Sequence, residues 1–182
     1  MAGAVSLPIG HSGGVANGDE VRLVRPARGE DLLSVLAVHA QRDTAATAPE
    51  SASRLEQVTW ARMMSIDDLT VYLCEVDEKP VGTATLLLMP NLTYDCAPTA
   101  FVEAVVVAIG HRRKGVATAM MDRILQDSRA AGCNKVQLLS HKRHATDGAH
   151  QLYLGLGFEP EAEGFRLYHR QVPAAVQAAT ST

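Results

Sequence analysis

Apolar positions recur along the chain with two periodicities, one typical of strands and one typical of helices. A short run at Val21–Arg25 predicts a strand. The stretch Gly29–Asp31 then opens a predicted helix. A second helix is predicted at Leu55–Met64. In the first helix the apolar residues at helical spacing are Leu32, Leu33, Leu36, Ala37 and Ala40.

The middle of the chain predicts a β-hairpin. Strands at Leu69–Val76 and Val81–Met89 flank the turn-forming sequence Asp77-Glu78-Lys79-Pro80. Because so short a turn reverses the chain, the two strands are expected to pair antiparallel. Asn91–Thr99 is predicted to be a loop.

A strand–helix–strand unit is predicted next. The β-branched run Ala100–Val107 predicts a buried strand, and Val116–Ala131 predicts a helix. Gly132 follows that helix at the position where a left-handed glycine ends one. Lys135–Ser140 predicts the returning strand.

The last elements complete a single mixed α/β domain. A helix is predicted at roughly Asp147–Leu156, ended by Gly157, and a strand at Phe165–Arg170. This element order favours a mixed sheet with one parallel crossover. We assign residues 20–171 to the domain, and residues 1–19 and 172–182 to flexible tails because they are rich in small residues without apolar periodicity.

Composition narrows the classes of function. The 182-residue chain is 47% hydrophobic with a net charge of −3, which fits a globular protein and argues against a dedicated nucleic-acid binder. We expect no membrane partner, since no apolar run approaches the ~20 residues that span a bilayer. The three cysteines show no Cys-x-x-Cys pair, so neither a disulfide framework nor a metal site is expected, and a cytoplasmic location fits best.

The chemistry concentrates where the strand ending at Val107 meets a basic turn that opens a helix. Unpaired N–H groups at a helix N-terminus attract anions, and Gly115 lets a phosphate approach the backbone. Arg112, Arg113 and Lys114 add positive charge beside it. The alternative is an ordinary solvated basic turn before an amphipathic helix.

Three motifs in order resemble the GNAT superfamily of acyl-CoA-dependent N-acyltransferases. Arg112-x-x-Gly115-x-Ala117 resembles the family's pyrophosphate-binding pattern Gln/Arg-x-x-Gly-x-Gly/Ala, with alanine where many members have glycine. Val21–Glu30 is similar to the family's first strand and helix start. The segment from Ala149 to Phe158 resembles its late Ala-x-x-x-Tyr-x-x-x-Gly-Phe helix. The resemblance covers about residues 21–170.

The resemblance implies a fold and a co-substrate. The fold is a single GNAT-type α/β domain, whose mostly antiparallel twisted sheet is flanked by helices and splayed between the strands Phe101–Val107 and Lys135–Ser140. Acetyl-CoA would lie in the splay as co-substrate, with no metal. Val105, Val106 and Val107 would offer strand backbone to its acetyl and pantetheine portion. Its pyrophosphate would be held by Arg112, Arg113, Lys114, Gly115, Val116, Ala117 and Thr118.

Glu103 and Tyr153 are the candidate catalytic residues. An amine must lose a proton to attack the thioester, and Glu103, among Phe101, Val102 and Ala104, could have its pKa raised by desolvation. Its position matches that of a family glutamate that receives the amine proton, often through water. The alternatives are an ion pair with a nearby arginine or a hydrogen bond at the sheet edge.

Tyr153 matches a family tyrosine whose phenol donates a proton to the leaving thiolate. The alternative for Tyr153 is a core tyrosine held by packing. A backbone N–H near Val105 would polarise the thioester carbonyl, as in an oxyanion hole.

The loop before the last helix is the candidate acceptor contact. His141-x-x-His144 lacks the further ligands of a metal site. Because this loop precedes the Tyr153 helix, Lys142, Arg143 or His144 could recognise an acidic group on the acceptor, with a solvated loop as the alternative. Trp60 faces either the acceptor pocket or the core.

These observations predict an N-acetyltransferase that joins acetyl-CoA and a small primary amine in one ternary complex. No cysteine falls in the matching motifs, which favours direct attack over a covalent intermediate. The alternatives are acetylation of a protein or peptide amine, and an acyl-CoA-binding regulatory module without turnover. The partners expected are a small-molecule amine and, because family members often dimerise through late strands, a second copy of the chain.

Overall fold

The part of the chain that the structure describes folds into a five-stranded sheet with helices on both faces. The computed structural model describes residues 21–44, 46–146 and 148–167. The strands are β1 (Arg22–Pro26), β2 (Leu69–Val76), β3 (Lys79–Met89), β4 (Thr99–Val107) and β5 (Lys135–Leu138). The helices are α1 (Leu32–Ala40), α2 (Arg54–Met64), α3 (Val116–Ala130) and α4 (Ala149–Gly155). Short 3-10 turns lie at Gly29–Asp31, Tyr94–Cys96, Ile109–His111 and Lys142–Ala145.

The strand order follows the chain order, β1-β2-β3-β4-β5. The first three pairings are antiparallel and β4–β5 is parallel, joined through α3. The predicted hairpin and the single parallel crossover are confirmed. The hairpin turn is tighter than predicted, because Asp77 and Glu78 alone turn the chain, with φ of 48° and 63°.

Alternation along β2 explains the two layers of helices. Tyr72, Cys74 and Val76 point to one face, and Val71 and Leu73 point to the other, as the two-residue period of a strand requires. The first face packs against α3 and the second against α1 and α2. Each face therefore has its own apolar core.

Pairing between β4 and β5 stops before β4 ends. In the described residues the parallel ladder runs from Thr99 opposite Lys135 to Val102 opposite Leu138, while β4 continues to Val107. A bulge lies just beyond, where the register against β3 shifts and Ala104 has a φ of +52°. Because β5 itself ends at Leu138, the last part of β4 has no strand partner on that side, which is where the splay between these two strands is expected.

Helices α3 and α4 both end at the glycines predicted to end them. Gly132 has a φ of +71° after α3, and Gly157 has a φ of +85° after α4. In each case the next residue donates its N–H to a carbonyl one turn back, Cys133 to Ser128 and Phe158 to Tyr153, both at 3.0 Å. These are Schellman endings, which satisfy the last carbonyls of each helix.

The C-terminal region departs from the sequence prediction. Residues 165–167 of the strand expected at Phe165–Arg170 lie in no strand, and residues 168–170 lie outside the described part of the chain. The predicted strand Lys135–Ser140 ends at Leu138, and the predicted helix at Asp147–Leu156 covers only Ala149–Gly155. Both expected tails fall in residues that the structure does not describe. None of the helices within the described ranges is long and apolar enough to cross a membrane.

Candidate active site

The N-terminus of α3 has the geometry expected of the predicted anion site. Gly115 precedes the helix in the left-handed conformation, with a φ of 78°, and no side chain caps the first N–H groups. The N–H groups of Val116, Ala117 and Thr118 therefore face outward at the positive end of the helix dipole. Arg113 and Lys114 lie exposed in the turn before them. These donors suit a pyrophosphate group.

Arg22 supports this turn from behind, which the sequence analysis did not foresee. Its Nη2 donates to the backbone carbonyl of Lys114 at 2.6 Å. A Cβ added to Gly115 would lie 3.2 Å from Nη1 of Arg22, so a side chain here would both strain the left-handed backbone and crowd this guanidinium. Arg22 is 92 residues from Lys114 in the chain, and its only sequence signal is an arginine in a short predicted strand.

Arg112 ties the turn to α1 instead of facing the helix N-terminus. Its Nε donates to the carbonyl of Val107 at 3.1 Å. Its Nη2 donates to the carbonyls of Gln41 at 3.0 Å and Arg42 at 2.7 Å, just after α1 ends. Arg112 therefore links the end of β4, the anion turn and the C-terminus of α1.

The valines of the predicted cofactor site line the splayed part of β4. Val105, Val106 and Val107 follow the bulge, beyond the last described residue of β4 paired to β5. Val105 and Val107 pack against the α3-side core, and Val106 is buried opposite Thr83. Apart from the Val107 carbonyl, which accepts from Arg112, backbone groups on the β5 side of this segment are therefore available to an extended ligand lying in the splay.

Glu103 lies on the opposite face of β4, the face covered by α1 and α2. It pairs with Thr85 of β3, and its side chain is exposed. The apolar enclosure expected from Phe101, Val102 and Ala104 is absent. Neighbours along a strand point to opposite faces, so Val102 packs into the α3-side core while Glu103 faces away from it.

Tyr153 is positioned by the Schellman ending of α4. Its ring meets that of Phe158 edge to face, with centroids 5.9 Å apart and an interplanar angle of 69°. This is the apolar contact that commonly accompanies such a helix end. Tyr153 also packs against the α3-side core. The spacing Tyr-x-x-x-Gly-Phe thus fixes the ring in place.

The loop before α4, which contains Lys142, Arg143 and His144, is connected to the segment after α1. Nη2 of Arg143 lies 3.3 Å from Oδ1 of Asp43, and its Nε donates to Nε2 of His144 at 3.2 Å. The backbone N–H of Arg143 donates to Nδ1 of His141 at 3.1 Å. Arg143 is thus engaged by Asp43, while Lys142 is exposed. Recognition of an acidic acceptor group by this loop stays a prediction.

A cavity of about 310 Å³ lies between α1, α2 and the sheet, which we call the α1–α2 cavity. Its polar lining residues include His39 and Thr59, on the two helices, and Thr85 on β3. Trp60 is buried in the core on this face of the sheet, which confirms one of its two predicted placements, and it also lines the cavity. The apolar walls are formed mainly by Leu32, Val35, Leu36, Trp60, Met63 and Val71.

Burial makes two cysteines poor nucleophiles. Burial raises the pKa of Cys74 to about 11, with Arg22 opposing and Glu75 reinforcing the shift. Burial also raises the pKa of Cys133. A thiol held protonated at neutral pH does not attack a thioester readily. Across the described ranges there is no group of three or more His, Cys, Asp or Glu side chains that could hold a metal ion.

Comparison with known proteins identifies the family. The acetyltransferase (GNAT) family profile matches residues 36–158, more than half of the chain. The chain therefore belongs to the GNAT acetyltransferase family, whose members generally use acetyl-CoA. The anion turn, the splay and Tyr153 all lie within the matched residues.

Solved structures share the fold. A protein from Agrobacterium tumefaciens str. C58, provisionally described as an acetyltransferase, is 29% identical with a TM-score of 0.72, covering 80% of this chain and 99% of that one. An acetyltransferase from Trypanosoma brucei is 25% identical with a TM-score of 0.67, covering 81% and 99%.

The aminoglycoside N-acetyltransferase AAC(6')-Iy, solved with CoA, is 16% identical with a TM-score of 0.68, covering 86% of this chain and 100% of that one. At this identity the likeness concerns the fold, and the bound CoA is a property of that protein.

Proposed function

We propose that the protein transfers the acetyl group of acetyl-CoA to the primary amine of a small molecule by direct attack in a ternary complex. One observation carries the proposal: the end of β4, which has no partner on its β5 side, leads through a short turn into an uncapped helix N-terminus preceded by Arg113 and Lys114. A pantetheine arm along the strand and a pyrophosphate at the helix have complementary partners in that order.

Each part of this segment contacts a different part of acetyl-CoA. The N–H groups of Val116, Ala117 and Thr118 hold the pyrophosphate, with Arg113 and Lys114 adding charge. Backbone groups of Val105–Val107 hold the pantetheine arm. A backbone N–H near Val105 polarises the thioester carbonyl, stabilising the negative charge that forms on its oxygen during attack.

Two proton transfers complete the reaction. The neutral amine nitrogen attacks the thioester carbon, the C–S bond breaks, and CoA leaves as a thiolate. Glu103 accepts the amine proton, directly or through water, from its position on the α1–α2 face. Tyr153 donates a proton to the thiolate, which with a reference pKa of ~8.5 leaves without being strictly dependent on that proton.

Mass-spectrometric detection of acetylated products tests the function. Acetyl-CoA is supplied with amino acids, polyamines, amino sugars, simple alkylamines and arylalkylamines, and short peptides, each with native protein and with Tyr153→Phe. The variant keeps the ring that packs on Phe158 and removes only the hydroxyl, so turnover falls while CoA affinity is kept. Tyr94→Phe is the matched control, because Tyr94 is exposed in a turn before β4.

Acetylation of small amines that is weakened by Tyr153→Phe and not by Tyr94→Phe supports the proposal. Acetylation of peptides alone favours a peptide acceptor. Binding of CoA without acetylation of any amine favours a regulatory binding module.

A further inference from the structure

The α1–α2 cavity is large enough for the body of a small organic molecule. Its volume is about 310 Å³. A dry cavity of ~150 Å³ in an engineered protein accepts benzene, and ligand pockets begin at ~300 Å³. The cavity therefore has room for one aromatic ring with a short chain attached.

Its walls favour an apolar occupant. Leu32, Val35 and Leu36 of α1 line one side. Trp60 lines another, and its indole N–H already donates to the carbonyl of Gly29 at 2.8 Å. The ring therefore offers the cavity an apolar surface and not a hydrogen bond.

Neither titratable residue of the lining offers a partner to an anionic acceptor body. Oε2 of Glu56 accepts from the backbone N–H and the hydroxyl of Ser53 at 2.7 and 2.6 Å at the start of α2. These bonds hold the pKa of Glu56 below its ordinary value, so the carboxylate is negatively charged at neutral pH. Burial lowers the pKa of His39, and the charge of Arg42 lowers it further, so the imidazole is neutral at physiological pH. An anionic acceptor body would therefore lose its hydration here without a partner, and a cationic body would find one carboxylate, Glu56, among mainly apolar walls.

The cavity lies next to the candidate base. Thr85 lines the cavity and pairs directly with Glu103 across the β3–β4 ladder. Directly opposed residues point to the same face with Cβ atoms ~5 Å apart. A molecule whose body fills the cavity can therefore present its amino group beside Glu103.

We propose that the acceptor is a primary amine with an uncharged aromatic or aliphatic body. The α1–α2 cavity binds this body, and Glu103 accepts the proton of the amino group. This inference rests on the proposed acetyl transfer for its catalytic consequence. The binding step is measurable without turnover.

Trp60 provides the measurement, because it is the only tryptophan in the chain and lines the cavity. The CoA-loaded protein is titrated with 2-phenylethylamine, hexylamine, ethanolamine and glucosamine 6-phosphate while tryptophan fluorescence is followed. We expect a saturable change with the first two amines and none with the last two over the same concentration range. Acetylation of the same four amines is measured separately.

Two variants of adjacent residues on α2 locate the binding. Thr59 is exposed at the cavity and lines it, so Thr59→Phe fills the space without burying a polar group. Val58 is exposed and is not among the lining residues, so Val58→Phe is the matched control. We expect 2-phenylethylamine to bind at least tenfold more weakly to Thr59→Phe and within twofold of native to Val58→Phe.

The outcomes separate the inference from the proposed function. Cavity binding without acetylation supports the cavity assignment and contradicts the acetyl transfer. Acetylation of ethanolamine or glucosamine 6-phosphate, with no fluorescence response to 2-phenylethylamine, overturns the inference and leaves the transfer intact. Equal weakening by both variants, or by neither, also overturns the inference.

Discussion

Nη2 of Arg22 donates to the backbone carbonyl of Lys114 at 2.6 Å and so joins the first strand of the sheet to the turn that opens α3. The bond fixes the carbonyl that directly precedes Gly115. It thereby helps orient the exposed N–H groups of the helix toward one anion position. Arg22 lies behind the turn, so its effect on CoA comes through the turn.

Replacing Arg22 with methionine is expected to weaken CoA binding about tenfold. The variant keeps much of the side chain's apolar length and removes a charged hydrogen bond, and such bonds contribute about 1.5 kcal/mol. Calorimetric titration with CoA measures the effect. Arg28→Met is the control, since the Arg28 side chain is 70% exposed. Unchanged affinity in Arg22→Met would show that the turn holds its shape alone.

Arg112→Lys is expected to release the segment after α1. A lysine has one ammonium group and does not reproduce the planar guanidinium that joins the Val107 carbonyl to those of Gln41 and Arg42. Hydrogen exchange measured by mass spectrometry is expected to become about tenfold faster in residues 38–44. Arg113→Lys changes the neighbouring exposed arginine and should leave this exchange rate unaltered. Equal exchange in native protein and Arg112→Lys would contradict the tether.

The buried Asp31 links β1 to the start of α1 and makes stability depend on pH. Arg25 binds both carboxylate oxygens at 2.6 and 2.9 Å, and the backbone N–H of Arg28 donates at 2.6 Å. The bonds from Arg25 hold the pKa of Asp31 below its ordinary value, against the opposing effect of burial, and the bond from Arg28 adds to the lowering. The folded state therefore gains stability above the unfolded pKa of ~3.9 and loses it as pH falls through the lower folded value.

Asp31→Asn is expected to cost about 2–3 kcal/mol of unfolding free energy at neutral pH, because it removes the charge that Arg25 binds. The difference from native protein should stay constant down to about pH 4 and then narrow. Urea unfolding at several pH values measures it. Glu30→Gln is the control, at a side chain that is 71% exposed. A difference that widens toward acid pH would refute the assignment.

Glu103→Gln is expected to lower kcat/KM by about a hundredfold at neutral pH, as loss of a general base does. The defect should shrink as pH rises toward the reference amine pKa of ~10.4, because the acceptor is then already neutral. A pH–rate profile with the best acceptor of the amine panel measures this. Asp122→Asn, at an exposed carboxylate on α3, should follow the native profile. A ratio of native to variant that is the same at every pH would remove Glu103 as the base.

Local sequence signals predicted the parts of the fold that depend on near neighbours. Gly132 and Gly157 end their helices as expected, because a Schellman ending is complete within six residues. The anion turn was predictable for the same reason, since Gly115 and the first N–H groups of α3 are adjacent in the chain.

Contacts between distant segments were not predictable. The bond from Arg22 to Lys114 spans 92 residues, and the α1–α2 cavity depends on how two helices pack on the sheet. The positive φ of Ala104 could not be predicted either, because alanine rarely adopts this conformation. The exposure of Glu103 was not predicted, because its chain neighbours were taken as its surroundings, whereas Thr85 lies opposite it across the sheet.

Initial rates with acetyl-CoA and one acetylated amine, varied together, test the central claim most directly. Direct attack predicts intersecting double-reciprocal lines, with acetylated amine and free CoA formed in equal amounts. Parallel lines, or acetyl-protein formed from acetyl-CoA alone, would indicate a covalent intermediate and contradict the account. So would the absence of any acetylated amine across the whole panel.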